Sequence, residues 1–411
     1  MLEYFDELET RAFKEREYDL FNGFPDFLSD IMDRIPAWKK RFAEIDTTQI
    51  NSREMLASLP VMRKPELMEA QAARPPFGEF VDTSLLTGNR VFMSPGPVWE
   101  PQAPGVDPWQ AARSFHAAGF RAGDIVHCSI GFTMTPGGAI LDEGIRALGG
   151  VVYPAGVGNT ETQVEAASIL KPVAYAGTPD YLQTLLDKAA EMGKDLSSIK
   201  RAFVSGGALF PSMREAYQEQ GITVLQGYAT ADIGAIAHET MDQGTLCDGM
   251  ILNENLILEI VRPGTNDPVT TGEVGEMVVT CFNKAYPLVR FGTGDMSAII
   301  EEPSPCGRTN MRIKGWMGRA DQRTKIKGMF VDPKQIDQLV KAVDGLERAR
   351  LIVKREDNKD TMVVQAVGTS LNVEEITNQL ASIAKLKGSV EIVESLPNDG
   401  KVIDDQRDYS V

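Results

Sequence analysis

Four stretches combine residue types that handle nucleotides. VSGGALF, residues 204–210, closes an apolar run with Gly206-Gly207 and Ala208. Backbone without side chains lets a planar ligand approach closely; taken alone, the same residues also make a tight strand-to-helix turn. QGYATAD, residues 226–232, sets Tyr228 and Ala229 at a strand end, where an aromatic ring stacks on a flat base. Thr230 and Asp232 follow with a hydroxyl and a carboxylate, and Asp232 suits Mg²⁺ through oxygen ligation. A helix N-terminus capped by Thr230 accounts for them equally. In YPLVRFGTGDM, residues 286–296, Gly292 and Gly294 are expected to bracket a turn presenting Asp295. One carboxylate there accepts both vicinal ribose hydroxyls, or makes an Asx-turn. KGWMGRADQRTKIKG, residues 314–328, gathers Lys314, Arg319, Arg323, Lys325 and Lys327 against Asp321 alone. Such a cluster suits an anionic ligand or a solvated hairpin.

The chain around these stretches is acidic, with 411 residues and a formal net charge of -16. That balance argues against nucleic acid and anionic membrane as partners. No apolar run reaches the roughly 20 residues of a spanning helix. The opening MLEYFDELETR is unlike a targeting peptide. Cys128, Cys247, Cys281 and Cys306 form no CxxC, so reduced thiols and a cytoplasmic location are expected.

The elements that must position the four stretches follow from periodicity. Residues 1–45 read as helical, with Phe5, Phe21, Phe27 and Trp38 at helix-like intervals. From 120 to 205, DIVHCSI, GGVVYPAG, PVAYAGT and IKRAFVSGG read as strands between helices, and ITVLQGYAT continues the sheet. That alternation is the sign of an α/β sheet with helices on its faces. After 250 the chain turns β-rich, with RPGTNDPVTTGE as a hairpin loop, and the last 90 residues suggest a small α+β domain.

In this order, with PNDGKVID near the C-terminus, the stretches resemble the adenylate-forming (AMP-binding) superfamily, and within it the phenylacetate–CoA ligase family. PLVRFGTGD and GRADQRTKIKG are the most specific motifs. The resemblance implies an α/β fold, with a large N-terminal AMP- and acyl-binding domain (1–320) and a small mobile C-terminal domain (321–411) hinged near Asp321. It implies that Gly206, Gly207 and Ala208 line the adenine site beside Tyr228 and Ala229. Thr230 would face the α-phosphate, Asp232 would take the place of a metal-binding Glu, Asp295 would hold the ribose and Arg319 would assist. Lys401 matches the family's catalytic lysine; Lys325, Lys327 and Gly328 would meet coenzyme A. Phe132, Thr135, Gly137 and Gly138 fall where the family builds its acyl pocket. ATP, Mg²⁺, coenzyme A and an aromatic acid are the implied small molecules, and a homodimer the implied assembly.

The chain departs from the family where the phosphate loop reads like SSGTTGKP. Here it is SPGPVWEP, residues 94–101, keeping Ser94, Gly96 and Pro101. Pro95 and Pro97 remove two N–H donors, and Glu100 replaces the lysine, a local change of two charges. A misplaced unit charge at about 4 Å is worth roughly 4 kcal/mol at an effective dielectric of about 20. The expectation is that Ser94 and Gly96 still approach the nucleotide while Glu100 points away. Relatives often bind zinc, for which His238, Cys247 and Cys306 remain, but Thr240, Ile251 and Ser304 occupy ligand positions; this pattern speaks against a retained site. The reading is an AMP-forming carboxylic acid–CoA ligase with a degenerate phosphate loop. The alternatives are a catalytically weak relative that binds nucleotide, acyl-adenylate or CoA, and an enzyme receiving an already activated acyl group.

Overall fold

The structure, a computed structural model, describes residues 3–94, 97–320, 322–356, 359–397 and 401–407. Pro95, Gly96 and Asp321 lie outside the described residues.

The β-rich runs from 120 onward pair in parallel. Ile125–Ser129 lies between Val151–Pro154 and Ala174–Gly177, and the sheet continues through Arg201–Val204 to Thr223–Thr230. Parallel neighbours need a long return connection. Helices Gly137–Ala147, Thr160–Leu170, Pro179–Glu191 and Pro211–Glu219 supply it. Past Thr223–Thr230 the chain turns back directly, so Gly234–His238, Met250–Leu252, Arg312–Ile313 and Ile299–Ile300 extend the sheet antiparallel to nine strands. Val126, Cys128, Ala174, Ala176 and Phe203 are buried together in one core cluster with helix residues Ile140 and Ile145.

A four-stranded sheet runs in the order Met62–Arg63, Leu288–Ser297, Gly275–Cys281, Leu256–Val261. The last two form the hairpin expected around the turn-rich 262–274 segment, with Leu256 opposite Cys281. N-terminal helices Phe13–Phe21, Phe24–Arg34 and Pro36–Arg41 bury Phe21, Phe24 and Trp38 in the core and leave Phe13 and Tyr18 exposed. Phe24 meets Phe282 edge-on at 5.8 Å, and the Trp38 indole N–H donates to the Pro287 carbonyl at 3.2 Å.

The chain divides into two compact units. The larger comprises Met1–Thr293 and Ser297–Trp316, the smaller Gly294–Met296 and Met317–Ser410. The smaller is α+β: its sheet runs Ser389–Ile392, Lys359–Gly368, Leu346–Glu356, Ile403–Asp405. Helices Pro333–Ala342 and Val373–Ala384 add Ile336, Leu339, Ile376 and Leu380 to its core. Among the described residues, no helix is long and apolar enough to cross a membrane.

Candidate active site

The segment Val91–Ser94 pairs antiparallel with Val98–Pro101, setting Ser94 opposite Val98 and Phe92 opposite Glu100. Two contacts fix this hairpin. The Met93 N–H donates to the Met134 carbonyl at 2.8 Å. The Gln71 side chain spans the Trp99 backbone, donating to its carbonyl at 2.9 Å and accepting from its N–H at 2.8 Å. Gln71 belongs to helix Lys64–Ala73, whose first residue lies two turns earlier on the same face. A lysine there meets the positive end of the helix dipole, and Asp232 offsets that cost: its Oδ2 accepts from Lys64 Nζ at 3.1 Å.

Glu100 does not point away. It is 2% exposed, and its Oε1 accepts from the Ser94 hydroxyl at 2.9 Å. Its carboxyl lies within hydrogen-bond reach of Asp232. Burial first, and the Asp232 charge second, push Glu100 up to about 9, against the opposing pull of Lys64. At neutral pH Glu100 therefore carries a proton, and the charge change relative to a lysine is one unit rather than two. Strand pairing and the Gln71 clamp turn residue 100 inward, onto Ser94 and toward Asp232. Glu100 Oε2 and Asp232 Oδ1 are otherwise buried without hydrogen-bond partners; one proton between two carboxyls supplies both. Hard carboxylate oxygens also suit Mg²⁺, which keeps water and phosphate oxygens in its shell. The donor set therefore fits that ion.

Tyr228, 8% exposed, lies just past the parallel register, which stops at Gln226, and pairs antiparallel with Ala237. The register shifts between Tyr228 and Ala229, a bulge of the kind that re-aims side chains near sites. Thr230 caps no helix: it begins the turn to Gly234–His238, and its Oγ1 accepts from the Ile233 N–H at 3.3 Å. Gly206, with φ of 72°, opens the loop that holds Gly207 and Ala208 after Arg201–Val204. Ser205 ties that loop to its neighbour strands, donating from N–H to Gly177 O at 2.9 Å and from Oγ to Gly227 O at 2.8 Å.

Phe132 and Thr135 occupy the loop after Ile125–Ser129, and Gly137 and Gly138 start helix Gly137–Ala147. A side chain at Gly138 would lie 2.6 Å from the Phe132 ring and 2.7 Å from the Gly131 carbonyl. The Met93–Met134 contact joins this loop to the hairpin.

The remaining site residues lie in the smaller unit. Asp295 is within strand Leu288–Ser297, not at the turn expected from the flanking glycines. Gly294 adopts φ of 75°, and a Cβ there would lie 2.5 Å from Arg319 Nη2; the glycine makes room for a guanidinium. Arg319 Nη1 donates to Asp295 Oδ1 at 2.9 Å, and the two backbones form a bridge. Lys325 lies in Thr324–Ile326, which pairs with Met329–Val331 across a turn at Lys327 and Gly328. Lys401 Nζ donates to Asp404 Oδ1 at 2.9 Å. Its backbone is fixed by Arg350, which donates to the Lys401 carbonyl at 3.0 Å.

The proposed zinc residues are not gathered into a metal cage. His238 is fully buried, with Nδ1 3.2 Å from Ser114 Oγ, and burial keeps it neutral, well below the usual imidazole range. Burial raises the Cys306 thiol, but Ser304, Thr240 and Arg308 outweigh that and bring it to about 7. Arg308 Nη1 reaches the sulfur at 3.5 Å, a cation beside the thiol. Among the described residues, no group of three or more His, Cys, Asp or Glu side chains is placed to hold a metal ion.

Sequence reasoning missed Lys64 and Gln71. The signal for Lys64 is its place at a helix start before Pro65, where a lysine needs an acid nearby.

The nine-stranded α/β sheet, with its glycine loop beside Tyr228, and the separate α+β unit give the fold of the adenylate-forming CoA ligases that the chain matches. The AMP-binding enzyme family matches residues 144–281. Phenylacetate-coenzyme A ligase of Pseudomonas putida is 30% identical over 353 residues, 82% of this chain and 78% of that protein. That of Thermus thermophilus is 28% identical over 348 residues, 80% and 76% of the two chains. Among solved structures, 2-hydroxyisobutyryl-CoA ligase in complex with 2-HIB-AMP and CoA superimposes with a TM-score of 0.78 at 23% identity, covering 98% of this chain and 92% of that one. The chain belongs to the phenylacetate–CoA ligase family of adenylate-forming acid–CoA ligases.

Proposed function

We propose that this chain converts an aromatic or similarly compact carboxylic acid to its CoA thioester through an acyl-adenylate. A carboxylate is a poor acyl donor. Its oxygen attacks the α-phosphorus of ATP and expels pyrophosphate, and the CoA thiol then displaces AMP from the activated carbonyl. Tyr228 and the Gly206–Ala208 loop take the adenine, Asp295 with Arg319 the ribose, and Thr230 the α-phosphate. Lys401 offsets charge on the carboxylate and α-phosphate during adenylation. Lys325, Lys327 and Gly328 receive CoA; Phe132, Thr135, Gly137 and Gly138 border the acid. Mg²⁺, held at Asp232, supplies charge neutralisation to the triphosphate when bound. Residues 321–411 act as the mobile domain that serves both steps.

The observation that carries this reading is the retention of Lys401 in a chain that matches the P. putida ligase over 82% of its length. A pure nucleotide binder has no use for that lysine. One observation favours a second reading, in which an activated acyl group is bound but not made here: the Ser94 hydroxyl is spent on Glu100 rather than left for a phosphate. Pyrophosphate release from ATP, measured with a panel of aromatic acids with and without CoA, separates the two. Acid-dependent release that vanishes in Lys401→Ala supports the ligase. No release with any acid, together with tight AMP or CoA binding, supports the second.

A further inference from the structure

Glu100 stands where the family resemblance places a lysine, yet the protein buries it beside another acid. Both carboxyls are anchored through one oxygen only. Ser94 takes Glu100 Oε1 and Lys64 takes Asp232 Oδ2. The second oxygens, Glu100 Oε2 and Asp232 Oδ1, are buried with no donor other than a proton shared between the two carboxyls, and the Tyr286 hydroxyl is buried without a partner. These residues are 2%, 8% and 1% exposed, and the Tyr286 hydroxyl feels the charge of both acids. Buried polar atoms without partners are costly and uncommon. Two carboxylate oxygens that only a shared proton satisfies are also the donor chemistry of a small hard cation, which can take that proton's place.

We propose that Glu100 and Asp232 together hold a divalent cation in the nucleotide-free protein, and that this cation replaces the triphosphate contacts the altered loop no longer makes. The second clause rests on the nucleotide reading above; the first does not. The hairpin offers a triphosphate little of its own, since Pro95 and Pro97 have no N–H and the Ser94 hydroxyl is engaged. Asp232 beside the Lys64 ammonium is a neutral pair with weak attraction for a cation. A second carboxylate makes the ionised cluster net negative, and a bound divalent ion supplies the opposite charge that ionises it. Two protein oxygens leave room in the coordination shell for water or phosphate oxygens. Glu100 thus restores through a metal the positive charge that relatives provide with a lysine.

The test is titration of Mn²⁺ into the purified, nucleotide-free full chain, with free ion followed by its paramagnetic resonance signal. The expected result is one bound Mn²⁺ per chain, weakened at least tenfold in both Glu100→Gln and Asp232→Asn. Circular dichroism and thermal unfolding verify that the isosteric variants fold. Glu100→Lys, which puts the family's charge back, removes the site. Tyr228→Ala leaves Mn²⁺ binding unchanged while weakening AMP binding. The proposal is overturned if the parent chain takes up no Mn²⁺ without nucleotide, or if folded Glu100→Gln binds it as the parent does. If Mn²⁺ binds normally and AMP does not bind the parent chain at all, the cation site stands and its triphosphate role falls with the nucleotide reading.

Discussion

The Ser94 hydroxyl donates a 2.9 Å hydrogen bond to Glu100 across the short Val91–Pro101 hairpin, with both side chains buried. In a phosphate loop, a hydroxyl at this turn faces outward to an anion; here it serves an acid from the opposite strand. The hairpin has closed on itself, and Glu100 has become part of the wall behind Asp232.

That arrangement has a pH signature. Glu100 holds its proton in the folded chain up to about 9, against an ordinary value of 4.5. Between those values the folded state binds a proton that the unfolded chain releases. Stability from this group is therefore complete below about 4.5 and is lost as pH rises toward about 9. The steepest loss is about 1.4 kcal/mol per pH unit for one proton. Denaturant unfolding from pH 5 to 9, with a chelator present, is expected to show this decline. Glu100→Gln keeps an acceptor for Ser94 and places an N–H donor toward Asp232, so its profile is expected to be flatter by about one proton. An unchanged slope would place the proton elsewhere.

The ribose role proposed for Asp295 has a direct measure in AMP affinity. A charge-assisted hydrogen bond is worth about 1.5–3 kcal/mol, so Asp295→Asn is expected to weaken AMP binding by roughly tenfold to a hundredfold in calorimetry. Arg319→Ala removes the guanidinium that orients the carboxylate at 2.9 Å and is expected to have a smaller effect of the same sign. AMP affinity that is indifferent to both substitutions excludes this pair from the nucleotide site.

Gly227 carries a packing requirement rather than a chemical one. A Cβ there would lie 2.3 Å from Cζ of Phe203, whose ring meets Phe115 edge-on at 5.0 Å in the core. Gly227→Ala is expected to cost about 1–3 kcal/mol, the range for overpacking, read as a lower denaturant midpoint. Adding Phe203→Leu makes room for the methyl, so the double variant is expected to lose less than the sum of the two single changes. Additive losses would show that the clash is not the cause.

What was legible in the sequence is what depends on local period. The strands from DIVHCSI to ITVLQGYAT and the helices between them could be read because each element carries its own alternation. The placement of Tyr228 at a strand end followed from the same pattern. Glu100 was misread because its burial is set by residues far along the chain: Gln71 clamps Trp99, and Asp232 with Lys64 receives the carboxyl. A Pro-Gly-Pro segment announces a solvated turn and says nothing of what packs behind it. Gly292 and Gly294 misled for a related reason. Two glycines around Asp295 resemble turn chemistry, but each makes room for a side chain elsewhere: a Cβ on Gly292 would lie 2.6 Å from Glu276 Oε1, and Gly294 admits Arg319. Close approach and chain reversal ask for the same residue, and only the tertiary structure separates them.

The role proposed for Lys401 predicts that its removal separates the two half-reactions. Its side chain is 54% exposed and its ammonium lies 2.9 Å from Asp404, a contact an incoming anion can replace. In the proposed adenylation, negative charge gathers on the attacking carboxylate and the α-phosphate, and removing one preorganised donor from such a site costs about 10²–10³ in rate. Acid-dependent pyrophosphate release by Lys401→Ala is therefore expected to fall at least a hundredfold. Thioester formation from a supplied acyl-adenylate and CoA has no triphosphate to break and is expected to stay within a few-fold of the parent. Lys401→Arg keeps the charge but spreads it over a planar fork, and is expected to recover only part of the first step. Equal loss of both steps in Lys401→Ala would assign the lysine to the fold of the smaller unit rather than to adenylation.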